Sequence, residues 1–156
     1  MLRIGLISDT HGLLRPEALA ALAGSDHIVH AGDIGDPAIL ATLARIAPLS
    51  AVRGNNDRGE WAVAVPDTDT VLIGGITVHV LHDLAELSID AAAAGVQVVV
   101  SGHSHQPRMQ WRDGVLFINP GSAGPRRFKL PVSIGRLLVH GTVVEGELIS
   151  LEAGSR

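Results

Sequence analysis

His103 and His105 stand at alternate positions, just after the apolar run 98–100 and the pair Ser101-Gly102. Two imidazoles held that close are good ligands for a transition metal. Four other places put a ligand-type residue just past an apolar run. They hold Asp9 and His11 in D-x-H spacing, Asp33 set among glycines, Asn55 in Gly-Asn-Asn-Asp, and His82. Taken singly, most have an ordinary explanation: a helix cap for Asp9, a turn for Asn55, solvated loops for the histidines; Asp33, between glycines at a strand end, has none. Turn chemistry does not predict two Asp, one Asn and four His at the ends of five apolar runs.

Seven mixed oxygen and nitrogen ligands suit two cations better than one. They fit divalent transition-metal ions, Mn²⁺ first, with Fe, Zn²⁺, Co²⁺ or Ni²⁺ as alternatives. Mg²⁺ and Ca²⁺ fit less well, because both prefer all-oxygen shells. Asp33 has small neighbours, so its carboxylate can approach and bridge two ions. A pair of ions about 3.5–4 Å apart clamps the oxygens of an in-line displacement and acidifies a bound water. That chemistry fits hydrolysis of a small phosphate ester, with metal-bound hydroxide as nucleophile and no Ser or Cys required. Arg53 and Arg58 flank the 54–57 turn, where they could meet phosphate oxygens or simply be solvated.

These side chains need a sheet to gather them. Leu2–Ile7, His27–His30 and 49–52 read as short buried strands. Pro16 opens a helix to about Ala23, and Asp36-Pro37 opens another to about Ile46. Asp36 is therefore read as a cap, and His27, His30 and His79 as structural histidines. Gly74-Gly75 and Asp113-Gly114 predict hairpins joining 71–73 to 76–81 and 109–112 to 115–118. A last hairpin joins 132–139 to 143–151 around His140-Gly141, and the end beyond Leu151 is expected to fray. Ser88 and Gly95 bound a predicted short helix over 89–94. The strand–helix alternation of the first half predicts parallel sheet, and the hairpins of the second half antiparallel pairing. Sites in open α/β sheets form at the carboxyl ends of strands, where all seven candidates fall.

The whole chain sets bounds on function. Residues 1–156 read as a single domain, long enough for a sizeable core of Ala, Val, Leu and Ile, since aromatics make up only 3%. A formal charge of −4 argues against general nucleic-acid binding, which needs a basic stripe. The absence of cysteine excludes a disulfide scaffold, a thiolate metal site and a cysteine nucleophile. No apolar run reaches the about 20 residues that span a bilayer, and no signal-peptide pattern opens the chain. A cytoplasmic location and no membrane association follow as expectations.

Five motifs, in this order and spacing, give the chain a family resemblance: Ser8–Gly12 (SDTHG), Gly32-Asp33, Gly54–Asp57 (GNND), Gly102–His105 (GHSH) and Asn119–Ser122 (NPGS). The chain resembles the calcineurin-like metallophosphoesterases over nearly its whole length, and most of all their small YfcE-like phosphodiesterase branch. The resemblance implies an α/β fold, a four-layer αββα sandwich of two mixed β-sheets flanked by helices. It implies that Asp9, His11 and His105 hold one metal and Asn55, His82 and His103 the other, with Asp33 bridging. It also implies that NPGS is a structural turn near the site, and that homo-oligomers are possible.

Two positions depart from the family pattern. The family's GNHD motif carries a histidine that helps protonate the leaving group or steady the transition state; here the residue is Asn56. An amide donates a hydrogen bond but transfers no proton at neutral pH, so good leaving groups should be favoured. Asn56 is thus expected to contact substrate and support catalysis alongside Asp33 and Asn55, with Arg58 as a further substrate contact and Asp57 holding the loop. Second, the family's His-Gly is His82-Asp83 here, and Asp83 is expected to cap the next helix. A binding module is the rival reading, because the retromer subunit that resembles this family uses the fold as a protein-interaction scaffold. Retention of ligand-type side chains at all seven positions favours the enzyme. A metallo-β-lactamase-like hydrolase is disfavoured, since Gln106-Pro107 follows His105 where that resemblance needs Asp-His.

Overall fold

In the computed structural model, residues 1–127 and 129–151 are described; the expected fraying beyond Leu151 lies outside them. Among the described residues, ten strands form two five-stranded mixed sheets. The first has the order β10-β9-β1-β2-β3, built from β1 (Leu2–Ile7), β2 (His27–His30), β3 (Leu49–Ala51), β9 (Ser133–His140) and β10 (Val143–Ser150). The second has the order β4-β5-β6-β8-β7, built from β4 (Thr68–Ile73), β5 (Ile76–Leu81), β6 (Val98–Val100), β7 (Arg108–Arg112) and β8 (Val115–Asn119).

The sheets meet face to face through aliphatic side chains. Ile4, Leu6 and Val29 from the first sheet pack with Val78, Val80, Val98, Val100, Leu116 and Ile118 from the second. Branched aliphatics suit this contact because they fill a pleated face without leaving polar atoms dry. Helices α1 (Pro16–Leu22) and α2 (Pro37–Ala44) cover the outer face of the first sheet, where Ala18, Leu22, Ile39 and Leu43 pack on Ile7 and Ile28. Proline occupies the first turn of both, and Asp36 caps α2 by accepting a hydrogen bond from the Ala38 N–H at 2.9 Å. A four-residue helix, α3 (Glu60–Val63), precedes β4 and had no clear signal in the sequence.

The outer face of the second sheet departs from expectation. The predicted helix over 89–94 is a series of turns, and among the described residues the helical element there is a single 3₁₀ turn at Leu84–Glu86. Asp83 caps that turn through the Ala85 N–H. Packing decides the conformation of this segment, which presses Ile89, Ala91 and Val96 onto Leu81, Val99 and Val115. The pairing of the second half also differs from the reading of hairpins alone. β5, β6 and β8 run parallel, while β4 and β7 are antiparallel edges. The parallel core matters because it brings the carboxyl ends of β5 and β6 side by side.

Candidate metal centre

The strands that carry the candidate ligands are all parallel ones, β1, β2 and β3 in one sheet and β5 and β6 in the other. The residues beyond their carboxyl ends therefore meet where the two sheets adjoin. Asp9 and His11 follow β1, Asp33 follows β2, Asn55 and Asn56 follow β3, His82 follows β5, and His103 and His105 follow β6. Five of the six described non-glycine residues with positive φ belong to this set: Asp9, His11, Asp33, His103 and His105, with φ from 47° to 71°. The sixth, Asp113, is a hairpin turn residue. Side chains in the left-handed region cost about 1–3 kcal/mol each, and such strain collects at functional sites.

Two triads result: Asp9, His11 and His105, and Asp9, Asp33 and His82. Asp9 Oδ1 lies 3.4 Å from His105 Nε2, 3.6 Å from His11 Nε2 and 3.9 Å from His82 Nε2. Asp33 Oδ2 lies 3.2 Å from His82 Nε2 and 3.7 Å from His11 Nε2. Each carboxylate thus touches histidines of both triads. His11 Nε2 and His105 Nε2 face each other at 3.3 Å. His103 stands beside this group, edge-on to the His82 ring at 5.2 Å between centroids, with Nε2 3.8 Å from Asp83 Oδ2. Asn55, His82 and His103 line one cleft of about 390 Å³. Asn56 is held against Asp33, whereas Arg58 is exposed and does not line that cleft. Arg53 pairs instead with Asp67, at 2.8 Å from Nη2.

The electrostatics favour ionised carboxylates at the centre. Burial alone would raise the Asp9 carboxyl, but His105 and His11 beside it, with His82 and the Ser8 hydroxyl, hold it well below the usual carboxylate range. Asp33 is also lowered: burial opposes its ionisation, and His82 and the Asn56 N–H outweigh burial. His82 donates from Nδ1 to the Ala31 carbonyl at 2.8 Å, which turns the Nε2 lone pair toward the carboxylates. Burial disfavours its charged form, yet Asp33 and Asp9 raise it. Asp9 Oδ1 and His82 Nε2 are both buried without a hydrogen-bond partner. Two carboxylates and three imidazole Nε2 atoms converging on two orphaned atoms are a donor set that fits divalent cations.

Several supports hold the ligands in place, among them Asp57 and the NPGS turn expected from the sequence. Ser8 Oγ donates to Asp9 Oδ2 at 2.8 Å, as does the His103 N–H at 3.1 Å. Asp57 accepts from the backbone N–H groups of Gly54, Ile34 and Gly35 at 2.9–3.1 Å, tying the Asn55 loop to the Asp33 loop. Asn119 donates to the Gly102 carbonyl and to Ser104 Oγ, and Ser122 Oγ donates to the Asp9 carbonyl, so the NPGS turn fixes two ligand loops. Gly54 and Gly102 leave room for the carboxylates: a Cβ on Gly54 would land on Asp33, and one on Gly102 on Ser8 and Asp9. His30 is buried and pushed down to about 4 by desolvation, against the pull of Asp9 and Asp57. His79 bonds Thr70 Oγ1 inside the sheet; both are structural, as expected.

The model of the calcineurin-like phosphoesterase superfamily domain matches residues 2–142. A probable metallophosphoesterase of Methanothermobacter thermautotrophicus is 34% identical over 158 residues, covering 94% of this chain and 91% of that one. Among solved structures, an archaeal phosphodiesterase superposes with a TM-score of 0.78 at 23% identity, over 95% of this chain and 100% of that one. Vps29 of Chaetomium thermophilum superposes with a TM-score of 0.77 at 22% identity, over 96% of this chain and 100% of that one. At these identities the two structural likenesses show the fold.

Proposed function

This chain belongs to the calcineurin-like phosphoesterase superfamily, and on that premise we propose that it is a dinuclear metal-dependent phosphodiesterase acting on a small phosphate ester in the cytosol. The observation that carries the reading is the placement of the Asp9 and Asp33 carboxylates, each within 4 Å of histidines from both triads. Asp9, His11 and His105 would hold one cation, Asn55, His82 and His103 the other, and Asp33 would lie between them. The mixed nitrogen and oxygen donors favour Mn²⁺, with Fe, Zn²⁺, Co²⁺ or Ni²⁺ as alternatives. Two such cations supply an acidified water at neutral pH and counter-charge for the phosphate oxygens.

The chain's own residues do the rest. Asn56 offers an amide donor beside Asp33, at the edge where a substrate phosphoryl oxygen would enter. It cannot hand a proton to the leaving alcohol, so esters of acidic alcohols turn over best. The scaffold reading has one supporting observation, the likeness in fold to Vps29.

Metal analysis of purified protein, paired with Mn²⁺-supplemented assays on aryl phosphodiesters and monoesters, tests the proposal. Turnover of an activated aryl diester is expected, and Asp33→Ala should abolish both metal uptake and turnover. A metal-loaded, active Asp33→Ala protein overturns the assignment. A fully loaded protein inert to every ester and held in a stable complex favours the scaffold.

A further inference from the structure

A second cleft, of about 620 Å³, shares His103 and Asp83 with the cleft of Asn55 and His82, and so continues from it. Its floor is the outer face of the second sheet. Arg108, Gln110 and Arg112 alternate along the edge strand β7, and Gln110 pairs in register with Phe117 of β8. Phe117 belongs to the outer cluster with Val115, whereas its neighbours Leu116 and Ile118 face the inter-sheet core. Alternation therefore puts both arginines on the cleft side. The stripe starts beside the loop that carries His103, because Arg108 pairs with Asn119, the residue that holds Gly102 and Ser104. Arg112 lies four residues on, about 13 Å further along the strand.

The two arginines are held in place but not neutralised. Arg108 Nη2 donates to Gln110 Oε1 at 3.2 Å, and the Arg112 guanidinium lies over the Phe117 ring at 4.4 Å. Among the described residues, no carboxylate comes within ion-pair distance of either, although Arg53 and Arg136 each have one. In a chain of net charge −4, an unpaired cationic row leading away from the candidate metal centre, with Asp83 as the carboxylate lining the same cleft, suits an anion.

Resting on the phosphodiesterase reading, we infer that this cleft takes one arm of the diester, and that the arm carries a further anionic group, a phosphate or a carboxylate. The phosphoryl group sits at the cations, and the distal anion sits on Arg108 or Arg112. The preferred substrates are then phosphodiesters with a second negative charge about one arm's length away.

The test uses the full chain loaded with Mn²⁺ and two p-nitrophenyl phosphodiesters, one with a methyl arm and one with an arm ending in a phosphonate. The wild type should favour the charged arm through KM. In R108Q/R112Q, the ratio of kcat/KM for charged to neutral arm should fall at least tenfold, the scale of one lost charge-assisted bond. R108K/R112K should restore part of it. A ratio that the glutamine pair leaves unchanged overturns the inference. If neither ester turns over, the phosphodiesterase reading fails, and calorimetric titration with the charged-arm ester decides the cleft separately. Weaker binding to R108Q/R112Q than to wild type then supports it; equal or absent binding overturns it.

Discussion

Asn56 grips Asp33 at both ends of its carboxylate: the backbone N–H donates to Oδ1 at 2.9 Å and Nδ2 to Oδ2 at 3.1 Å. The side chain therefore orients the anion that histidines of both triads approach. Asn56→Ala should weaken Mn²⁺ binding about 10-fold or more, the usual cost of losing such a support. Asn56→His should raise monoesterase activity relative to diesterase activity, since imidazole can deliver a proton that an amide cannot. Steady-state rates on a matched monoester and diester measure this, and an unchanged ratio removes the claim.

Metal should stabilise the fold, because its donors come from both sheets. At Mn²⁺ about 100-fold above its dissociation constant, linkage adds about 3 kcal/mol. For a chain of this size that is about 5–10 °C in Tm. Chelation should reverse the shift, and Asp33→Ala should lack it. A melting curve indifferent to Mn²⁺ would count against the centre.

Gly54→Ala should act on the metal without replacing a ligand. The added Cβ lands on the Asp33 carboxylate and its backbone N–H. Mn²⁺ affinity should drop at least tenfold, with about 1–3 kcal/mol lost from the fold through overpacking. Titration and urea unfolding measure the two effects; normal affinity would show that the loop yields freely.

His30 should give the metal-free protein an acid-labile stretch. Thr10 Oγ1 donates its proton to the Ile34 carbonyl, so His30 Nε2–H must donate to Thr10, while Nδ1 accepts from the Gly32 N–H. Both ring nitrogens are thus committed in the neutral form. With the folded pKa down at about 4 against 6.5 unfolded, the unfolded chain binds more protons between those values. Stability therefore falls as pH drops from 6.5 to 4, by about 3 kcal/mol in all. His27 and His79, also lowered by burial, lose stability in the same direction as pH falls, and Asp9 and Asp33 act only below about 3.8. His82, raised, works with the opposite sign. Denaturant unfolding at several pH values should show a flatter profile for His30→Asn; an identical slope would refute the assignment.

The succession of strands along the chain and the gathering of Asp9, His11, Asp33, His82 and His105 were legible because each ligand follows a short apolar run bounded by turn residues. The Gly74-Gly75 and Asp113-Gly114 turns set two registers directly. The segment 89–94 was not legible, since its alanines favour helix locally while packing against β6 decides the outcome. Nor were the grips on Asp9 by Ser8 and on the ligand loops by Asn119, because they join residues whose nearness only the fold creates. The arginine row was missed for a related reason: β7 reads as an ordinary edge strand until its neighbour Asn119 is seen to reach the Gly102 loop.

Because the donors after β1, β2 and β3 face those after β5 and β6 across the seam between two independently hydrogen-bonded sheets, bound cations would act as a clasp on the sandwich. Sliding one layer past the other would tear the constellation apart. Amide exchange at the carboxyl ends of both layers should accordingly slow in concert when the clasp is fastened, and a descendant that abandoned the metals would need some other fastening along that seam.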